Sequence, residues 1–254
     1  MFCDARIILT IALKLAALRG FRMRTVRVSG TENYPEEAPE LLKRYESISF
    51  ADAHRLVMHL IPTAPSRVLD IGSGTGRDAG GLAALGHSVA AVEPTEELRR
   101  GAILLHPSPM IEWLDDSLPD LAAIRARGEE FDVVMMTAVW MHLDGLRRRR
   151  AMPNIAALVR NGGVVMMSLR HGPVPPRRRM FEVSAEETIA LAQPLGLCCI
   201  LRQEAEPSLR QPGVTWTWLA FRKEPLPTAG GPSRGEQPAS AGTPPSSGQD
   251  RGVC

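Results

Sequence analysis

The sequence predicts an α/β fold, a parallel sheet with crossover helices that closes in an antiparallel hairpin. Three observations predict it. Short apolar runs alternate with helical patterns along most of the chain. A glycine-rich turn joins the first of those runs to the helix after it. The last two runs are separated only by a short stretch with Pro207 and Gly213, too short for a crossover, so those strands pair antiparallel.

The chain of 254 residues has room for one such domain with terminal extensions, and 44% hydrophobic residues supply an ordinary core. Residues 1–31 read as an N-terminal extension. Its stretch 7–18 is largely apolar with Arg6 in front, but Lys14 interrupts it and it falls short of the roughly 20 residues that span a bilayer. Ile7, Ile11, Leu15 and Leu18 have amphipathic spacing, so a docked helix, a targeting segment, or an upstream artefact with Met23 as initiator are the readings it leaves open. The acidic stretch 32–40, with Pro35 and Pro39, reads as a linker into a helix over 41–60, which Pro62 and Pro65 end.

Strands are expected over 67–71, 88–93, 110–114, 131–136, 163–169, 197–202 and 215–221. The helices between them are expected over 77–85, 96–105, 118–127, 153–159 and 185–195. The domain thus covers 32–223. From 224 to 254 Pro, Gly and Ser dominate, the composition of a disordered tail.

A net charge of +2 creates no global field to recruit nucleic acid or a membrane. Cys3, Cys198, Cys199 and Cys254 lack the spacing of a metal site, so no metal is expected, and a reducing, cytoplasmic compartment is the simplest setting.

The most informative stretch is Asp70-Ile71-Gly72-Ser73-Gly74-Thr75-Gly76-Arg77. A backbone that turns sharply and approaches a ligand closely favours glycine, and the helix that follows presents unbonded N–H groups. A dinucleotide loop would put its third glycine at position 77, where Arg77 stands; here it comes one residue early, at Gly76. Asp70 precedes the loop, and a carboxylate there repels a pyrophosphate but suits a ligand with an ammonium and a sulfonium. Glu93 ends the next strand at the distance in sequence where an acid grips ribose hydroxyls, a feature dinucleotide enzymes share.

On these residues the chain, from about Tyr45 to Phe221, resembles the class I S-adenosylmethionine-dependent methyltransferases. The resemblance implies a Rossmann-like sheet of seven strands, the last antiparallel, with helices on both faces and S-adenosylmethionine at the topological switch point. It places Gly72, Ser73, Gly74 and Gly76 in the nucleotide loop and Glu93 on the ribose. Asp115-Asp116-Ser117-Leu118-Pro119 looks like the adenine-binding segment, with Asp115 slightly favoured over Asp116 on its spacing to Pro119 and Ser117 supplying a backbone N–H. Thr137-Ala138 looks like the end of the fourth strand, where family backbones meet the methionine part. The absence of Asn-Pro-Pro-Tyr there, with Thr137-Ala138-Val139-Trp140 in its place, argues against methylation of DNA base amino groups. The segments 44–50 and 168–173 look like a bacterial subgroup of unassigned substrate.

Methyl transfer needs alignment and exclusion of water more than a catalytic triad. His142, just past the fourth strand, is the candidate base, with packing at a helix start as the alternative. Arg170 and His171, after the fifth strand, are candidates for substrate contact or for an exposed loop. Tyr45 either closes over the cofactor or packs. Asp78 is expected to serve the helix dipole. The run 147–150 reads as a solvated face, and the run 177–179 lies in an insertion of the kind that builds substrate pockets. The reading is therefore a methyltransferase with a small-molecule acceptor. Methylation of RNA or protein, a non-catalytic cofactor-binding accessory protein and a dinucleotide oxidoreductase are the alternatives.

Overall fold

Seven strands form one sheet in the computed structural model, which describes residues 28–207 and 212–225. They are β1 (Arg67–Ile71), β2 (Ser88–Val92), β3 (Ile111–Leu114), β4 (Phe131–Met136), β5 (Val159–His171), β6 (Leu197–Ala205) and β7 (Thr215–Lys223). The order is β3-β2-β1-β4-β5-β7-β6, with β7 antiparallel to both its neighbours. The helices are α1 (Tyr34–Glu46), α2 (Phe50–His54), α3 (Arg77–Ala84), α4 (Glu96–Leu105), α5 (Ala122–Arg125), α6 (Gly145–Leu158) and α7 (Ala185–Ala192). The expected apolar segment 7–18 and nearly all of the expected tail lie outside the described residues.

Alternation along the strands builds two cores. Leu69, Ile71, Val134 and Met136 face one layer with Trp140, Met152 and Ile155; Val68, Val133, Met135 and Met166 face the other with Ala79 and Leu82. Strands buried on both faces read as continuous apolar runs, which is why β1 and β4 were legible. β1 pairs with β2 on one side and β4 on the other, so the chain reverses its direction of winding there. The crevice at their C-terminal ends is the switch point. Among the described residues no helix is long and apolar enough to cross a membrane.

Two expectations need correction. The stretch 32–40 is helical from Tyr34 and not a linker: Pro35 sits in the first turn, where its missing N–H costs nothing, and Glu36 and Glu37 face the positive end of the dipole. The single helix 41–60 is broken at Ser47, and α2 restarts with the Ser49 side chain accepting from Asp52 N.

The run 147–150 is no solvated face throughout. Asp144 caps α6 by accepting from Arg147 N, so the helix starts well before Pro153 and carries the arginines within it. Arg148 is only 3% exposed. Its guanidinium donates to the Leu143 and Glu182 carbonyls and to Glu187, tying the end of the insertion after β5 to the domain. Arg148→Ala removes all three and leaves the buried Leu143 carbonyl without this donor. Denaturant titration should show a loss of about 2–4 kcal/mol, whereas Arg149→Ala, on the exposed side, should change stability by less than about 0.5 kcal/mol.

Candidate active site

The chain leaves β1 through Gly72, Gly74 and Gly76, all at positive φ (73°, 56° and 86°). A Cβ on Gly72 would lie 2.5 Å from Val139 Cγ2, and one on Gly76 would lie 2.7 Å from the Trp113 ring. Gly76 therefore serves packing behind the loop, and Gly72 a close approach to the end of β4. The carbonyl of Val92 accepts from both Gly72 N and Ser73 N, at 2.8 and 2.9 Å.

Glu93 fixes the rest of the loop. One carboxylate oxygen accepts from Gly74 N at 2.9 Å and the other from Thr95 N at 2.8 Å. Burial pushes its pKa up, and its contacts with Thr95 and Gly74, with the nearby Arg99, pull it back. Around it Asp70 Oδ2, Ser73 Oγ and Thr95 Oγ1 are buried without a hydrogen-bond partner among the described residues. Unmatched buried polar atoms are costly, and these three lie about one loop.

Beneath the loop lies a cluster that sequence reasoning did not assemble. His54 Nε2 is 3.1 Å from Asp78 Oδ2 and 3.1 Å from Thr137 Oγ1, and its Nδ1 donates to the Phe50 carbonyl. Asp78 Oδ1 also accepts from Arg77 Nε at 2.8 Å. Burial alone would push the Asp78 carboxyl up, but His54 and Arg77 outweigh it and hold it well below the usual range. Asp70, fully buried beside the Asp78 charge, is pushed the other way, well above it. The Asp78 side chain thus does more than complement the dipole of α3.

A cavity of about 400 Å³ opens over this floor. Gly72, Ser73, Gly74, Glu93, Asp116, Ser117, Thr137, Ala138, Tyr45, His142 and Arg170 all line it. Asp70 and Gly76 stand behind the lining. Asp115 lies outside it: its side chain is 70% exposed and meets Arg99. Asp116 is the inward acid, accepting from Ser117 N at 2.8 Å and Ile124 N at 3.0 Å. His171 is also outside, because neighbouring strand residues face opposite ways; it bonds Thr217 Oγ1 on the far face while Arg170 faces the cavity.

The roof comes from α1 and the insertion after β5. Arg178 pairs with Glu37 and lies 4.0 Å over the Tyr34 ring. Asn33 and Arg177 exchange hydrogen bonds, and Arg179 reaches Ser29. The Tyr34 hydroxyl is 3.2 Å from His142 Nε2, and His142 Nδ1 is 3.0 Å from the Arg179 carbonyl. Trp216, paired across strands with Arg170, closes the far wall. Tyr34 and His54 were missed because their partners are 108 and 83 residues away. Only the basic run 177–179 signalled the roof.

A family model described as a methyltransferase domain matches residues 41–225. Proteins named as uncharacterized methyltransferases in Mycobacterium tuberculosis and Mycobacterium bovis are each 32% identical over 111 residues, 41% of this chain. The match spans 40% of the length of these curated relatives. Among solved structures, an N-methyltransferase NodS from Bradyrhizobium japonicum in complex with S-adenosylhomocysteine is similar at a TM-score of 0.60 and 16% identity, over 76% of this chain and 99% of that one. A TehB-like S-adenosylmethionine-dependent methyltransferase from Corynebacterium glutamicum gives 0.57 and 20%, over 75% and 100%. A 1,6-didemethyltoxoflavin N1-methyltransferase from Burkholderia thailandensis, with that compound and S-adenosylhomocysteine bound, gives 0.58 and 19%, over 76% and 86%. At these identities the likeness is one of fold.

The depressed Asp78 carboxyl stabilises the fold above its ordinary pKa, and that contribution disappears as pH falls through and below about 4. Asp70 and Glu93, pushed up, contribute the opposite slope, so the Asp78 contribution shows in a difference: the gap in urea midpoint between the native chain and Asp78→Asn should narrow as pH falls from 7 to 3. The variant should be less stable at pH 7 by roughly 3 kcal/mol, the scale for breaking a buried pair.

Proposed function

The chain belongs to the methyltransferase-domain family, and from that premise we propose that it moves a methyl group from S-adenosylmethionine to a small-molecule acceptor held in the same cavity. The observation that carries the reading is the Glu93 carboxylate at the switch point, buried against the glycine loop. Each of its oxygens has accepted one backbone N–H, so each keeps a lone pair for one of two vicinal ribose hydroxyls. Ser73 Oγ and Thr95 Oγ1 stand unpartnered beside it.

The donor set fits the rest of the molecule. Asp116 keeps a lone pair on each oxygen for the adenine amino group, a role its inward position supports over Asp115. Thr137 and Ala138 face the methionine end; Ala138 takes φ 58° and its N–H is held by Ser168 Oγ at 2.9 Å. Asp78 and Glu93 line the floor with carboxylates, unfavourable to a pyrophosphate and favourable to a cation. When bound, the cofactor supplies a methyl group already activated on a sulfonium.

The residues of the chain then align the acceptor and keep water out. The roof of Arg178–Glu37 and Asn33–Arg177 contacts supports a small acceptor, because a polymer chain needs an open groove. Tyr45, Arg170 and His142 line the space left for it. The net charge supports neither nucleic acid nor a membrane as partner, and the cysteine spacing supports a cytoplasmic location.

Glu93→Ala and Asp70→Ala should each weaken S-adenosylhomocysteine binding by about 1–3 kcal/mol, roughly 5- to 150-fold. Calorimetric titration of variants shown to be folded by circular dichroism measures it. Unchanged affinity in both, or binding of NAD with no adenosyl ligand bound, overturns the reading.

A further inference from the structure

We propose that Tyr34 and His142 form the proton-accepting pair of the site, and that the acceptor is accordingly a small molecule with an O–H or N–H at the atom to be methylated. The inference rests on the methyltransferase reading above and specifies its acceptor.

Tyr34 opens α1, and His142 ends the 3₁₀ turn Trp140–His142 that follows β4. Both line the cavity. The Arg179 carbonyl can only accept, so its 3.0 Å contact places the hydrogen of a neutral imidazole on Nδ1. Nε2 is then left with a lone pair, and the Tyr34 hydroxyl at 3.2 Å is its donor. The backbone sets this tautomer: Phe181 N bonds the Met141 carbonyl at 2.8 Å, anchoring the strand of chain that carries Arg179 beside His142.

The charges around the pair keep it in the accepting state. Burial pushes the His142 imidazole below its ordinary value; the Arg179 carbonyl and Glu32 oppose this, while Arg178 and Arg170 reinforce it. Burial pushes the Tyr34 phenol up, with Tyr45, Glu93 and Glu37 adding to it and Arg178 opposing. A phenol so raised does not rest as the anion, so it serves as a relay and the imidazole as the base. The acceptor's lone pair forms the bond to the methyl carbon, and the carbon–sulfur bonding pair stays on sulfur. The acceptor's proton passes to the Tyr34 oxygen as the Tyr34 proton passes to Nε2. The positive charge lost at sulfur reappears on the imidazolium, whose two N–H groups meet the Arg179 carbonyl and the Tyr34 oxygen. The imidazolium returns its proton to water when product leaves. A clasp that merely held α1 over the site would be indifferent to which nitrogen carries the hydrogen.

The direct test labels the histidine imidazoles of the full chain with ¹⁵N and records long-range ¹H–¹⁵N spectra with S-adenosylhomocysteine present. At pH 7 His142, assigned by its absence in His142→Gln, should be neutral with its hydrogen on Nδ1. Tyr34→Phe should move the Nε2 resonance toward that of a nitrogen with no donor. A hydrogen on Nε2, or protonation of both nitrogens at pH 7, overturns the proposal, since neither form accepts a proton at Nε2. In methyl transfer to a panel of phenols, catechols and aromatic amines, His142→Gln and Tyr34→Phe should lower kcat by about tenfold or more while S-adenosylhomocysteine affinity stays within about twofold. The native kcat should fall on acidification with an inflection below about 6.5. Equal turnover by His142→Gln overturns the proposal. Failure of S-adenosylhomocysteine to bind the native chain counts against the methyltransferase reading, and the imidazole spectra without ligand still decide the pair.

Discussion

The grip of Glu93 on the backbone of Gly74 and Thr95 is the contact on which the site depends. Three glycines let the chain turn out of β1 with its N–H groups facing inward, but permissive backbone is also loose backbone. A buried carboxylate bridging two strand ends removes that freedom: it ties the loop after β1 to the loop after β2, each oxygen serving one N–H. The same carboxylate keeps spare acceptor capacity and faces the crevice at the β1/β4 switch point. One side chain thus shapes the loop and presents two acceptor oxygens to the crevice.

Opposite this floor, the roof is held by charge. Arg178, Arg177 and Arg179 come from a proline-bordered insertion and meet Glu37, Asn33, Ser29 and Glu32 on the segment leading into α1. The Arg179 contacts are partly exposed and individually weak, whereas the Arg178 side chain is nearly buried. Arg148, fully enclosed, supplies the firm anchor at the base of the insertion. The roof thus has a buried root and a polar edge, and it brings the Tyr34 hydroxyl to 3.2 Å from His142 Nε2.

The sheet was legible because parallel strands buried on both faces leave apolar runs that need no partner to be recognised. β1 and β4 lie where those runs predict, and the glycine loop with Glu93 follows from local chemistry alone. What stayed hidden depends on parity and distance. Arg170 and His171 sit at the same strand end, yet one residue's step along β5 sends them to opposite faces. Asp115 and Asp116 differ in the same way, one meeting Arg99 near solvent and the other turned inward to accept from Ile124 N in α5. In the run 147–150 every residue looks equally soluble, and only the cap at Asp144 reveals that a helix turns Arg148 inward. The His54–Asp78–Thr137 cluster joins three elements whose sequence neighbours give no hint of one another.

The most direct measurement is a crystal structure of the chain with S-adenosylhomocysteine. The ribose hydroxyls should lie on the Glu93 carboxylate, the adenine beside Asp116, and the homocysteine along Thr137 and Ala138, with Gly74 N still bonded to Glu93. A ligand seated elsewhere, or a crevice closed by side chains with Glu93 bonded to backbone alone, would contradict a sulfonium-nucleoside site at the switch point.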